Sequence, residues 1–587
     1  MIFVYFILIQ EWVKMLVADF VAKVFIANSI EKIFLYPGGT IAPLINACLA
    51  VGIKVECFKS EQGAGYAALA FGRITGRPQV VMVTSGPGVT NVMSCLADAY
   101  YDSTPLILVT GQIGTGDLKS RLEVRQRGFQ ETPTVEITKP ISKRSTCLMS
   151  QEDAFREIPL AFRESLSTRK GPVVLDFPMD IQRSEIDEIR ASGFVFLKES
   201  GAAPDGIADS SRFIEEIGEV ALQSKRPVIL LGHGALDAAA FHCYAEIAAR
   251  LNALIVTSFL GVGSYDTTDP RYLGYIGHTG HLAANRAVYE SDFLLVLGSR
   301  LDVRQTGTLV KQFVPKGKVA WINSDGIELS NPRVEVEWKV QADVGEFCEK
   351  LLLQLNDNKN EIDVGWESTI LALKQKKLED LPQDQFISLP PRKVLECIQN
   401  LVGNSGLTVT TGVGCHQHWA ARHLDFRPRD RRLLTSGGHG TMGYDLPSAI
   451  GAAIAQPEMR ILCVVGDGSL LMNIQELASL HERNLDVKVL VMNNSRLGIV
   501  SQFQLITWGS DPTTGDFKSP DFVAIAKGFG VTADRVSNVA DLDAKARAFW
   551  FAPGPALLDV TIDAGADVSP MLLAGQTMGE MWMGREP

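Results

Sequence analysis

The segment Ile461-Leu-Cys-Val-Val-Gly-Asp-Gly-Ser469, a helical pattern after it, and then Val487-Lys-Val-Leu-Val-Met-Asn-Asn494 together decide the fold. Two apolar, β-branched runs bracket a helical stretch, which is the pattern of a parallel strand–helix–strand unit covered on both faces. The first run delivers Gly466-Asp467-Gly468-Ser469 at its carboxyl end. Glycines there let backbone N–H groups approach a ligand closely. The helix that follows turns its positive end to the same point. Asp467 adds a hard oxygen suited to Mg2+. The second run ends in Asn493-Asn494, whose amide oxygen can reach the same metal. A carboxylate, an amide oxygen and a backbone carbonyl then leave positions for two phosphate oxygens and a water.

The same alternation of apolar runs and helical patterns extends through the chain in three blocks, predicting an α/β protein of doubly wound parallel sheets. The 587 residues call for three or four domains at roughly 150 residues each. The first block covers 15–185, with strands at Lys32–Leu35, Lys54–Phe58, Gln79–Thr84, Leu106–Thr110 and Val173–Phe177. The second covers 206–355, with strands at Pro227–Leu231, Ala253–Thr257, Phe293–Leu297 and Val319–Ile322. The third covers 389–570, with strands at Leu407–Thr410, Arg460–Val465, Val487–Met492 and Ala556–Thr561. Residues 185–205 read as a linker, and 356–385 as a charged stretch in which Lys374-Gln-Lys-Lys-Leu-Glu-Asp380 looks like a solvated helix and linker. The tail beyond 570 reads as nothing definite. Residues 1–14 read as an extension outside the first fold; their apolar run is too short to span a bilayer and lacks the flanks of a secretory signal. A net charge of −11 argues against nucleic acid, which wants a basic face. Nine scattered cysteines without a Cys-x-x-Cys pair argue against a disulfide scaffold or structural zinc and for a reducing, cytoplasmic setting without membrane contact.

Twenty-four residues separate the Gly-Asp-Gly from the Asn-Asn, and this spacing resembles the fingerprint of thiamine-diphosphate enzymes. Gly-Asp-Gly alone would be only a turn. By the resemblance Asp467, Asn494 and the carbonyl of Arg496 hold Mg2+, with Gly466, Gly468 and Ser469 at the diphosphate. Such a cofactor needs a carboxylic acid against its pyrimidine ring. Glu61 is the candidate, after a strand and at the start of a small-residue helix, Ser60-Glu-Gln-Gly-Ala-Gly-Tyr-Ala-Ala. Standing alone, a glutamate there reads as a helix-start residue that serves the dipole. Met442 matches the large apolar residue wedged under a bent cofactor, and the carbonyl of Gly440 would accept from its amino group. The loop Thr84-Ser-Gly-Pro-Gly-Val-Thr-Asn91 could bind a phosphate or simply turn the chain.

Within that group, residues 15–575 resemble the catalytic subunit of acetohydroxyacid (acetolactate) synthase. The matching segments are Tyr36-Pro-Gly-Gly, Glu61-Gln-Gly-Ala, the Thr84 loop, Thr110-Gly-Gln, Phe129-Gln-Glu-Thr-Pro, Gly298-Ser-Arg-Leu-Asp-Val-Arg-Gln-Thr-Gly307, Leu434-Thr-Ser-Gly-Gly-His-Gly-Thr-Met-Gly and Leu471-Met-Asn-Ile-Gln-Glu-Leu. The resemblance implies decarboxylation of pyruvate and transfer of the two-carbon unit to an acceptor carbonyl. It implies catalytic roles for Glu61, Gly38, Gln112, Phe129 and Arg304, the last pairing with an acceptor carboxylate as a guanidinium fork suits; a surface ion pair is the plainer reading. It places Pro37, Pro87, Asn91, Gly414, Cys415, His416 and Gln417 with the thiamine diphosphate. It implies a homo-oligomer, dimer or tetramer, with the cofactor between Glu61 of one chain and Asp467 of another, and leaves room for a regulatory subunit. It also implies FAD in the middle domain, at Gly232, Gly234, Thr257, Gly277, Gly280, Arg300, Asp302, Asn323 and Asp343. A Gly-His-Gly turn by itself serves equally as a strand-to-helix connection.

The chain departs from the family around the acceptor. Leu497-Gly-Ile-Val-Ser-Gln-Phe503 stands where biosynthetic members read L-G-M-V-R-Q-W, so Phe503 replaces a tryptophan and Ser501 a charge. Ser60 and Gly128 are further exchanges. These leave three readings: an acetolactate-synthase-like carboligase, acetyl transfer to a ketone or nucleotide-linked keto-sugar, and a 2-oxoacid decarboxylase or oxidase. A non-catalytic relative should lack Glu61 or Asp467, and both are present.

Overall fold

The computed structural model describes residues 14–119, 124–187, 210–238, 240–355, 360–375, 388–513 and 517–584. The chain divides into two units, Met1–Gly201 and Ala202–Pro587. Three six-stranded, all-parallel sheets form the frame, one in the first unit and two in the second. Their central strands are buried along their whole length and almost wholly apolar, as Gln79–Val83, Phe293–Leu297 and Ile461–Gly466 show. Helices on both faces of a parallel sheet require that pattern.

In space the first sheet runs Lys54–Cys57, Lys32–Leu35, Gln79–Val83, Leu106–Gln112, Pro172–Pro178, Arg144–Cys147. Numbered along the chain, this is order 2-1-3-4-6-5. A short antiparallel pair, Lys14–Leu16 with Glu185–Asp187, joins the two ends of the unit. The helix Glu61–Thr75 lies against the helix Pro87–Tyr101 through small residues. A Cβ on Gly65 would come within 2.7 Å of Cys95. Gly76 ends the first of these helices at φ +70°, its N–H donating to the carbonyl of Gly72, a left-handed stop that glycine adopts without penalty.

The middle sheet runs Tyr272–Tyr275, Leu254–Thr257, Pro227–Leu231, Phe293–Leu297, Lys318–Asn323, Trp338–Gln341. Its order, 3-2-1-4-5-6, is that of the doubly wound dinucleotide-binding folds, with the switch point between the strands ending at Leu231 and Leu297. The last sheet runs Arg431–Thr435, Leu407–Thr411, Ile461–Gly466, Val487–Asn493, Ala556–Thr561, Thr532–Val536. It repeats the 2-1-3-4-6-5 order of the first.

Two stretches go beyond the sequence reading. The helix Val364–Gln375 sets Trp366 and Ile370 into the middle domain's core while its other positions stay partly or fully exposed; of the 374–380 segment only Lys374 and Gln375 are described. The tail is also built in. Leu572, Met578 and Met581 join that same core, and Gln502 grips the backbone of Val568 through both amide atoms, at 2.8 Å each. Residues 1–13, the linker after Asp187 and the segments 356–359 and 376–385 lie outside the described residues. No helix among the described residues is long and apolar enough to cross a membrane. All nine cysteines are free thiols.

Candidate active site

Every sequence-predicted residue of the third block lies past the carboxyl end of one of four adjacent strands. Gly440 and Met442 follow Arg431–Thr435, and Gly414 to Gln417 follow Leu407–Thr411. Gly466 to Ser469 close Ile461–Gly466, and Asn494 and Arg496 follow Val487–Asn493. The resulting cleft encloses about 410 Å3 including its mouth and is lined by Gly414, His416, Met442, Asp467, Asn494 and Arg496 among others.

Asp467 is the first residue of the helix Asp467–Met472 and is 2 % exposed. Its Oδ1 accepts from the N–H of Gly468 at 2.9 Å. Its Oδ2 accepts from the Ser519 hydroxyl at 2.7 Å and, at 3.3 Å, from the N–H of Arg496. Burial raises its pKa, against the pull of those three donors. A cation beside this carboxylate would compensate the burial. Arg496 is anchored to Asp511 at 3.2 Å and to the carbonyl of Ala564 at 2.9 Å. No cluster of three or more His, Cys, Asp or Glu side chains among the described residues could hold a metal. A metal here therefore depends on amide, backbone and ligand oxygens.

Three observations fit a phosphorylated ligand in the cleft. Arg496 Nε and Trp419 Nε1, on two of the lining residues, are buried with no partner among the described residues. Side chains at 466 or 468 would press on His416 or Leu497, at 2.8 Å and 2.6 Å, so the backbone there stays bare. Gly440 and Gly443 take φ +79° and +83°, which bends the loop carrying Met442 back over Gly468. Cys415 is buried, and burial pushes its thiol well up, so it is a small apolar wall.

The first unit also gathers its predicted residues at the carboxyl ends of four adjacent strands. Glu61 is 7 % exposed, and Asn91 Nδ2 donates to its Oε2 at 3.1 Å. Ser60, not Glu61, caps the helix, accepting from Gly63 N–H at 2.9 Å, so the carboxyl of Glu61 is left for another task. Gly38 packs so tightly that a Cβ there would meet Thr84 Cβ at 2.3 Å. Thr40 bonds Thr84 at 2.9 Å and accepts from Ser85 N–H at 2.9 Å, fastening the Pro37 loop to the loop before Pro87. Gln112 is committed: Nε2 donates to Thr132 O and to Asp176 Oδ2, at 2.9 and 3.0 Å. Phe129 is 86 % exposed.

The middle-domain residues stand at the carboxyl ends of all six strands, but several of their polar atoms are in use. Asp302 and Asp343 cap the helices Val303–Thr306 and Val344–Gln354. Thr257 bonds Tyr272 at 3.1 Å, and Asn323 donates to Ser299 O at 3.3 Å. Gly277 takes φ +103° with its N–H on Asn285, at 2.7 Å. Gly280 turns back on Gly277, N–H to carbonyl at 2.9 Å. At the switch point Gly234 N–H donates to Gly298 O at 2.9 Å, and any Cβ on Gly232 would strike Gly298. Arg300 reaches Asp302 only at 3.4 Å. The guanidinium of Arg304 is exposed and makes no ion pair among the described residues. Beside it the rings of His278 and Phe503 stack flat, 5.2 Å apart and 3° from parallel.

Asp445, Ser519 and His278 carry this geometry without having stood out in the sequence. Asp445 lies two residues beyond the quoted Met442 segment, at the start of the helix Asp445–Ala455. Ser519 is fifty-two residues from the carboxylate it donates to.

Three protein families match: the thiamine pyrophosphate enzyme N-terminal TPP binding domain at residues 15–137, its central domain at 214–351, and its C-terminal TPP binding domain at 412–560. Acetolactate synthase 2, chloroplastic, of Zea mays is 34% identical over 572 residues, 94% of this chain and 86% of its own. Acetolactate synthase, chloroplastic, of Arabidopsis thaliana is 34% identical over 582 residues, 96% of this chain and 84% of its own. Acetolactate synthase isozyme 1 large subunit of Escherichia coli (strain K12) is 34% identical over 566 residues, 96% of this chain and 97% of its own. With three matched domains on three parallel sheets and full-length relatives of one kind, the chain belongs to the thiamine pyrophosphate enzymes and, among them, to the acetolactate synthase family.

Proposed function

We propose that this chain decarboxylates pyruvate and joins the two-carbon unit to the carbonyl of a second 2-oxo acid, using thiamine diphosphate and Mg2+. The observation that supports this most is the cleft at residues 466–469, where bare glycine backbone, a buried carboxylate and unpartnered buried donors converge. Bound there, thiamine diphosphate supplies the carbon nucleophile. Asp467, Asn494 and the carbonyl of Arg496 hold the metal, and Gly466, Gly468 and Ser469 offer N–H groups to the diphosphate. Met442, which lines the cleft, would support the cofactor, and the carbonyl of Gly440 would accept from its amino group. Glu61, oriented by Asn91, would set its carboxyl against a pyrimidine nitrogen. Gly38 and Gln112 line the donor side, with Phe129 on the loop beyond. Arg304 presents its free fork to the carboxylate of the acceptor.

A second copy of the chain completes the site in this proposal. FAD occupies the carboxyl edge of the middle sheet, on the strength of its strand order. The Escherichia coli relative is named a large subunit, which supports a separate regulatory chain. Transfer to ketones or keto-sugars, and simple decarboxylation or oxidation, are not favoured by the relatives. Purified protein with labelled pyruvate, thiamine diphosphate and Mg2+ is expected to yield CO2 and a five-carbon hydroxy-oxo acid by mass spectrometry. Absence of any coupled product with a panel of 2-oxo acids would overturn the proposal.

A further inference from the structure

Asp445 opens the helix Asp445–Ala455 and is 0 % exposed. A buried carboxylate persists only when its oxygens are fully bonded, and these are. The N–H of Gly412 donates to Oδ1. The His416 ring meets the same oxygen with Nε2 at 3.0 Å. The Ser469 hydroxyl donates to Oδ2 at 2.5 Å. One carboxylate thereby joins the end of Leu407–Thr411, the first turn of the helix Cys415–His423 and the first turn of Asp467–Met472. Those are three of the segments that frame the cleft.

With Nε2 given to Asp445, the Nδ1 edge of His416 is what the ring has left. It lies between two glycines on the cleft floor: a Cβ on Gly414 or on Gly466 would come within 2.7 or 2.8 Å of Nδ1. Nδ1 has no partner among the described residues. Ser469 is spent in a complementary way. Its oxygen accepts from Gly443 N–H at 2.8 Å while its proton goes to Asp445, so only its backbone N–H is left for a ligand.

We propose that Asp445 is a positioning residue for the diphosphate: it aims Nδ1 of His416 at a phosphate oxygen. The proposal rests on the reading that this cleft holds thiamine diphosphate.

The test is titration of the full-length apo protein with thiamine diphosphate at fixed Mg2+, by calorimetry, with turnover measured across the same cofactor range. Asp445→Asn keeps the shape and loses the charge. It is expected to weaken cofactor binding about ten- to hundredfold, the usual cost of removing the partner that orients a ligating histidine. Turnover should recover at saturating cofactor. Added to His416→Ala, the same change should cost little more, because Asp445 acts through that ring. Equal affinity in wild type and Asp445→Asn overturns the inference, as does full additivity with His416→Ala. Wild type that binds no thiamine diphosphate overturns the proposed function instead. If Asp445→Asn does not fold, Asp445→Ser carries the same measurement; failure of both to give folded protein makes the carboxylate a folding element and overturns the inference too.

Discussion

Asp176 offers a pH-dependent prediction with a definite sign. It lies in the strand Pro172–Pro178, buried on both faces. Burial pushes its pKa from 3.8 up to about 6, against hydrogen bonds from Gln112, Thr110, Thr134 and Cys147. The difference, 6 − 3.8, is 2.2; at 1.36 kcal/mol per unit it amounts to about 3 kcal/mol. Because the folded-state value is raised, the fold favours the protonated form. The stabilisation is whole below the unfolded value near 4 and is lost as pH rises to about 6, since the unfolded chain sheds its proton first. Wild type should thus lose about 3 kcal/mol relative to Asp176→Asn between pH 4 and 6, with a level difference above. The asparagine amide would face Gln112 Nε2 with a donor, a cost independent of pH that moves the offset and not the slope. Urea titrations at several pH values, with buried Cys48 and Cys95 pulse-labelled at one fixed pH and located by peptide mass spectrometry, follow this unit apart from the other. A difference that stays level across pH 4 to 6, or that rises, refutes the reasoning.

Glu61→Gln should lower turnover at least about a hundredfold, because the pyrimidine loses its proton partner; kinetics within tenfold of wild type would remove the assignment. Asp467→Ala should abolish Mg2+-dependent cofactor binding in a titration. Its apo thermal midpoint should not fall, because burial already works against the ionised carboxylate and function and stability conflict there. Arg304→Ala should leave CO2 release from pyruvate in place while the yield of coupled product per CO2 drops, read by mass spectrometry. Gly38→Ala sets a Cβ 2.3 Å from the branched carbon of Thr84 and should cost about 1–3 kcal/mol by overpacking, visible in the denaturant midpoint.

The strands legible in the sequence are mostly those inside the sheets. Phe293–Leu297 and Ile461–Gly466 are covered on both faces and show it as unbroken apolar runs. The strands that escaped the reading, besides the short terminal pair, are Arg144–Cys147, Tyr272–Tyr275, Trp338–Gln341, Arg431–Thr435 and Thr532–Val536, and each is a sheet edge. Four of these five edges carry charged residues, which work against further pairing; Tyr272–Tyr275 carries none and is buried. Arg-Ser-Thr-Cys and Thr-Ala-Asp-Arg-Val accordingly lack the apolar signal of a strand. The tail was illegible for another reason. Leu572, Met578 and Met581 are spaced by turns rather than by a helical or strand period, and only the middle domain's core explains their apolarity.

The same contrast divides the site. Glycines and first-turn acids at strand ends were legible because backbone geometry forces them into short motifs. The side chains that aim those motifs come from afar: Asp445 is twenty-nine residues from His416, and Leu572 lies 294 residues from the His278 ring it receives a bond from. The first and third sheets share one strand order without visible sequence likeness. A shared frame therefore does not specify chemistry here. In each sheet four neighbouring strands end in loops on one edge, and one set carries an acid held by an asparagine while the other carries an acid held by a serine. In the proposed function the first acid serves the pyrimidine ring and the second serves the metal. What separates the two tasks is the ring of buried partners around each carboxylate, which is why substitutions of Asn91, Ser519 and Asp445 are the sharper probes of how each half is committed to its role.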